Sequence, residues 1–172
     1  MGIEVRPLGV RCNIGCLYCY QNPQRDADNF IKTYLSRYPK VEQYMEQTLE
    51  TAKETGKVET LYGRARWLPD INSRNWNLRE NARRMAINAR IQGTAADLLK
   101  KAMVTLAEAL SAELPDCRLL LTVHDELVLE VASADVEAAA SIVEREMIGV
   151  AELDVPLVVD LGSGETWYEA KA

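Results

Sequence analysis

The stretch LLLTVHDELVLEV, residues 119–131, sets two apolar runs on either side of one short polar interruption. Cys117 to Val123 and Leu127 to Val131 are each long enough for a strand, and the three polar residues between them predict an antiparallel hairpin with a tight connection. The hydrophobicity of both runs predicts burial, which pushes His124, Asp125 and Glu126 to one rim of a sheet. Carboxylates on a rigid rim suit phosphoryl and nucleotidyl transfer, because divalent metals held there activate the attacking oxygen and neutralise charge on phosphorus. Standing alone, the same tripeptide serves as an ordinary polar turn.

Downstream of the hairpin, Ser133 is placed to cap a helix reaching about Met147, and VPLVVDLG, residues 155–162, predicts a last strand. Upstream, Ala95, Leu98, Leu99, Ala102, Met103, Leu106, Ala109 and Leu110 form one apolar stripe at helical spacing. That helical region begins near Asn77, with Gly93 interrupting the pattern and Thr94 able to cap the helix after it. KVETLYG and RARWLP predict two short strands around Gly63, and DINSRN after them is dense in cap and turn formers. Phe30 to Thr55 has helical periodicity, broken at Pro39 and stopped by Gly56. Helices and hairpins without a regular βαβ repeat predict an α+β fold.

The 172 residues, 48% of them hydrophobic, suffice for the core of one domain, or of one domain with a short appendage. No run of eighteen apolar residues occurs and the amino terminus lacks a signal-peptide pattern, so a cytoplasmic chain with no membrane partner is expected. The net charge of −6 hides a division along the chain. Lys57 to Lys101 holds ten Lys or Arg against four Asp or Glu, whereas Ala102 to the end holds three against fifteen. A basic stripe followed by an acidic module fits phosphate backbone and divalent metal held by neighbouring elements, although solvated helix faces give the same count.

Several blocks share an order with one known family. LLLTVHDELVLEV closely resembles the third conserved motif of family A DNA polymerases. ETLYGRARWLPDINSRN, residues 59–75, resembles that family's segment leading from fingers to palm. RRMAINARIQGTAADLLKKAM, residues 83–103, resembles its long helix carrying template and primer contacts, and VPLVVDLGSGETWYEA resembles its carboxyl terminus. The resemblance covers residues 30–172 and implies a partial polymerase palm, with an antiparallel hairpin sheet and long helices. It implies template-directed DNA synthesis in replication or repair, with Mg2+, primer-template DNA and deoxynucleoside triphosphates as cofactor and partners.

By that resemblance Asp125 is a metal-binding catalytic carboxylate, Glu126 a second carboxylate of lesser weight and His124 a contact to the primer strand. Asn88 and Gln92 take the positions that touch the minor groove, where amides donate to the acceptors that every correct base pair presents at similar places. Arg84, four residues before Asn88 on the same helical face, is assigned to backbone or template contact. Arg64, Arg66, Arg74, Arg79 and Arg83 are implied phosphate contacts, some of which serve equally as surface arginines. Arg90 departs from the family's NAPIQGTAAD, where proline is expected, and is placed to alter a helix break before Gln92.

Two parts of a working enzyme of this family find no match. No DYSQIELR-like strand precedes Phe30, and no R-x-x-x-K helix ending in Tyr-Gly occurs. Asp125 is then without the aspartate that would share its metals, so the 172 residues alone are expected to show little or no polymerase activity. The alternative function is a noncatalytic primer-template binding module. Residues 30–55 would pack on an absent fingers domain, and self-association through exposed apolar surface is expected.

Residues 1–29 form a short Cys-rich segment in which Cys12, Cys16 and Cys19 are spaced C-x3-C-x2-C. Three thiolates in one loop can hold three irons of a four-iron four-sulfur cluster, and PLGVRCNIGCLYCYQN resembles the start of a radical S-adenosylmethionine enzyme. A partial zinc site and three unpaired thiols remain as alternatives. The two resemblances meet between Asn29 and Phe30 without a Gly, Ser or Pro linker, which implies a fusion of two fragments or a faulty gene model.

Overall fold

The computed structural model describes the backbone of residues 2–8 and 24–170, and the side chains of residues 29–170. The fold is α+β, with helices and small antiparallel sheets divided between two compact units. One unit is built on residues 2–8 and 98–170, the other on residues up to Asp97.

In the second of these units, α1 (Gln24–Arg37) and α2 (Pro39–Thr55) are separated at Tyr38, because Pro39 is set for a first helical turn and restricts the residue before it. Along α2, Thr48, Leu49 and Ala52 are buried, while Val41, Tyr44 and Met45 one and two turns earlier are half-buried, giving one continuous inward stripe. Gly56 ends the helix in the left-handed region, its N–H donating to the Ala52 carbonyl at 2.9 Å. The Asn72 side chain donates to the Lys53 carbonyl and satisfies another terminal acceptor. Strands β2 (Lys57–Glu59) and β3 (Ala65–Trp67) pair around the turn at Gly63. Leu49, Ala52, Val58, Leu68, Ile71, Ala82, Ala86 and Ile87 form the core of this unit.

Helix α3 (Trp76–Glu113) starts where the Asn75 side-chain oxygen accepts the N–H of Asn77 at 3.0 Å. It runs without interruption through Gly93 and Thr94, so the expected break and cap there are not found. Nor does Arg90 alter the helix; its guanidinium lies 5.7 Å from the centre of the Tyr44 ring.

The other unit holds a four-stranded sheet in the order β4 (Arg118–Val123), β5 (Glu126–Glu130), β1 (Gly2–Leu8), β6 (Val158–Gly164), antiparallel throughout. Leu127 and Leu129 of β5 are fully buried with Ala102, Leu106 and Leu110 of α3 and with Ala139, Ile142, Val143 and Met147 of α4 (Val136–Ile148). Each side chain of this size buried in full stabilises by roughly 1.5–3 kcal/mol before ordering costs. The two strands of the hairpin differ more than their similar hydrophobicity predicts. β5 has neighbours on both edges, whereas β4 is an edge strand with an extra residue at Leu120, and Leu120 and Leu121 are 54% and 43% exposed. Ser133 does not cap α4 directly; Ser133–Asp135 is a single 3-10 turn from which α4 starts at Val136. A short helix α5 (Trp167–Ala170) closes the described chain. Among the described residues no helix is long and apolar enough to cross a membrane.

Because Leu129 is enclosed and Leu120 is not, Leu129→Ala should cost about 2–5 kcal/mol in urea unfolding and Leu120→Ala less than about 0.5 kcal/mol. Equal losses would contradict the assignment of β5 as the buried strand.

Candidate functional site

The carboxylate turn is tighter than three polar residues suggest. Val123 and Glu126 are register partners, so Glu126 belongs to β5 and only His124 and Asp125 make the turn. His124 has φ 57°, the one positive value outside glycine among the described residues. A left-handed conformation costs an L-residue roughly 1–2 kcal/mol, and His is one of the residues that adopt it more readily. The strain is held by the pairs on either side, above all Thr122 with Leu127, whose side chain is fully buried. His124 and Asp125 are exposed and Glu126 is half-buried. Nothing in VHDELV announces this strain, since the usual Gly or Asn of such a turn is absent.

No group of three or more His, Cys, Asp or Glu capable of holding a metal occurs among the described residues. Asp125 and Glu126 are two adjacent carboxylates, one in the turn and one at the start of β5. Cys12, Cys16 and Cys19 lie outside the described residues. Cys117 is half-buried, and burial first, then the Asp135 carboxylate, push its thiol above the usual range, which makes it a poor nucleophile.

The DNA-facing candidates belong to the other unit. Arg84, Asn88 and Gln92 are all exposed and recur every four residues along α3, while Ala82, Ala86 and Ile87 carry the buried face of the same helix. The stripe results from that burial: the side turned to Leu49 and Leu68 is fixed by the core, so the polar positions between are presented outward.

Beside the stripe, the Thr60–Arg64 turn is clamped onto α3. The Thr94 hydroxyl accepts the Leu61 N–H at 3.0 Å and donates to the Arg90 carbonyl at 2.7 Å. Arg64 donates through Nε to Asp97 at 2.7 Å and through Nη2 to the Gly93 carbonyl at 2.9 Å. Gly93 must be small, because a Cβ there would come 2.7 Å from the Thr60 methyl group. Thr60, Gly93, Thr94 and Asp97 thus position the turn, a role that sequence reasoning missed. The available signal is the Gly-Thr pair inside an otherwise regular helix, which reads as a break.

The clamp leaves a cleft of about 210 Å³ lined in part by Arg64, Arg66, Gln92 and Gly93. The arginines divide by what they touch. Arg64 holds the clamp, Arg79 donates to the Ser73 carbonyl at 2.9 Å, and Arg83 lies 3.5 Å from Glu80 on the same helix. Arg66, Arg74 and Arg84 are exposed and form no ion pair with another described residue.

A hairpin with one buried strand and carboxylates at its turn, and an amide and arginine stripe on a long helix, are the equipment of a nucleic-acid polymerase fragment. Residues 13–169 match the model of DNA polymerase family A, and the chain belongs to that family. It is 48% identical over 148 residues to DNA polymerase I of Lactococcus lactis subsp. cremoris, an alignment covering 86% of this chain and 17% of that one. Identity to the thermostable DNA polymerase I of Thermus aquaticus is also 48%, over 149 residues, 87% of this chain and 18% of that one. Among solved structures it resembles the POL domain of Pol1 from M. smegmatis in complex with DNA primer-template and dNTP. There the TM-score is 0.87 and the identity 34%, with 93% of this chain and 30% of that one covered. The chain thus spans about 17% of the length of the first of these relatives. Family A DNA polymerases use divalent metal, generally Mg2+.

His124→Gly should raise the stability of the hairpin unit by about 1 kcal/mol, since glycine meets the positive φ without strain. A denaturation midpoint that falls instead would show that the His124 side chain contributes more than its backbone costs.

Proposed function

We propose that the chain is a portion of a template-directed DNA polymerase, in which one unit holds primer-template DNA and the other carries a catalytic carboxylate turn. In the intact reaction, nucleotidyl transfer from deoxynucleoside triphosphates, Asp125 is a metal-binding carboxylate, Glu126 assists it, and His124 contacts the primer strand. Asn88 and Gln92 sense base-pair geometry in the minor groove, and Arg84, Arg66 and Arg74 neutralise phosphates. Arg64 and Arg79 act behind them by holding the Thr60–Arg64 turn and the loop before α3, and Arg83 stands on α3 beside Glu80. Residues 30–172 supply this polymerase portion. Mg2+ bound at Asp125 would stabilise charge on the transferred phosphoryl group.

The observation that carries the reading is the exposed Arg84, Asn88, Gln92 stripe on a helix whose opposite face is locked in a core. Two adjacent carboxylates, with no group of three metal-holding side chains among the described residues, favour binding over turnover by the 172 residues alone. The chain therefore binds primer-template duplex and does not extend it. Exposed Phe30, Tyr38, Trp67 and Trp76 favour self-association of the isolated chain.

Fluorescence anisotropy with a primer-template duplex should give an affinity that falls linearly with salt on logarithmic axes. Arg84→Ala should reduce that slope by about 1, whereas Asp125→Ala leaves binding unchanged. Efficient primer extension by the 172-residue chain, abolished by Asp125→Ala, would refute the binding-only reading; absence of duplex binding at low salt would refute the reading altogether.

A further inference from the structure

Strand β1 is the one element of the sheet that comes from the Cys-rich end of the chain, and its place is central. It pairs with β5 from Gly2 opposite Glu130 to Val5 opposite Leu127. It pairs with β6 along its whole length, from Gly2 opposite Gly164 to Leu8 opposite Val158. β5 and β6 are not neighbours, so among the described residues β1 is the strand that joins β6 to the carboxylate hairpin.

The register suits the sequence GIEVRPL. Directly opposed residues of an antiparallel pair share a face. Ile3 stands opposite Leu129, Val5 opposite both Leu127 and Leu161, and Pro7 opposite Val159. All four of these partners belong to the core or pack against it. Positions 3, 5 and 7 are therefore in register with core positions of β5 and β6, and positions 4 and 6 with Gly162 and Asp160. Gly162 and Gly164 of β6 leave room for α5, since a Cβ at Gly164 would come 2.6 Å from that of Glu169. Pro7 lies beyond the last β1–β5 pair, where only β6 flanks the strand; a proline is tolerated in such an edge position.

We infer that residues 2–8 are an internal donor strand: the slot between β5 and β6 is a strand-accepting surface, selective for apolar residues at alternate positions, whose filling joins β6 and α5 to the carboxylate hairpin. The partner the slot fits is a short extended peptide of this alternation, which the chain supplies from its own amino terminus. The inference is independent of DNA binding, so its failure and that of the polymerase reading are distinguishable.

Hydrogen exchange on the intact 172-residue protein tests it. Amides in residues 3–6 should be slowed on the order of a hundredfold or more, comparably to residues 127–129. Val5→Asp should release residues 158–164 while residues 45–55 stay protected, and an excess of synthetic MGIEVRPL peptide should restore the protection. The inference fails if residues 3–6 exchange at the unprotected rate while residues 158–164 remain slow. It also fails if Val5→Asp leaves residues 158–164 protected. Should that variant not fold, the wild-type exchange pattern decides.

Discussion

The burial of β5 is the constraint on which the carboxylate turn depends. Leu127 and Leu129 are enclosed by α3 and α4, and a strand lies on either side of β5. A one-residue slip would turn these leucines out of the core, so the register is strongly fixed. That fixity lets His124 persist at a positive φ and sets Asp125 at a defined point of the rim. Polar groups at the tip of a rigid hairpin keep their geometry without a large network of their own, as a metal or phosphate contact needs.

The helix stripe obeys the same logic with different parts. Ala82, Ala86 and Ile87 anchor one side of α3, and the outward side carries Arg84, Asn88 and Gln92. The Thr60–Arg64 turn is fastened by Thr94, Gly93 and Asp97, so one conspicuous arginine is engaged in structure. Basic composition alone does not separate such a residue from Arg66, Arg74 and Arg84, because the separation depends on which carbonyls and carboxylates lie within reach in the folded chain. Charge along the sequence picks out the basic segment; hydrogen bonds sort its members.

Much of the α+β arrangement was legible because its periodicities are strong. The stripe from Val41 to Ala52, the hairpin around Gly63 and the hairpin around Asp125 all fall where spacing and turn residues put them. Three features were not legible, each for a physical reason. Gly93 and Thr94 look like a break in sequence, yet a close approach by Thr60 requires the glycine and the hydroxyl is used sideways. β4 is as apolar as β5, but edge position and the extra residue at Leu120 expose it. GIEVRPL alternates clearly, but the cysteines after it draw attention to metal chemistry, and its strand partners lie more than a hundred residues away. β1 completes the sheet on the side of β5 away from β4.

The most direct measurement is an NMR titration of the side-chain amides of the 172-residue chain with a primer-template duplex. The Asn88 and Gln92 amide signals should shift and saturate together with the binding isotherm, while those of Asn72 and Asn77 stay in place. Saturable duplex binding that leaves Asn88 and Gln92 unmoved would contradict the claim that this face of α3 holds the DNA.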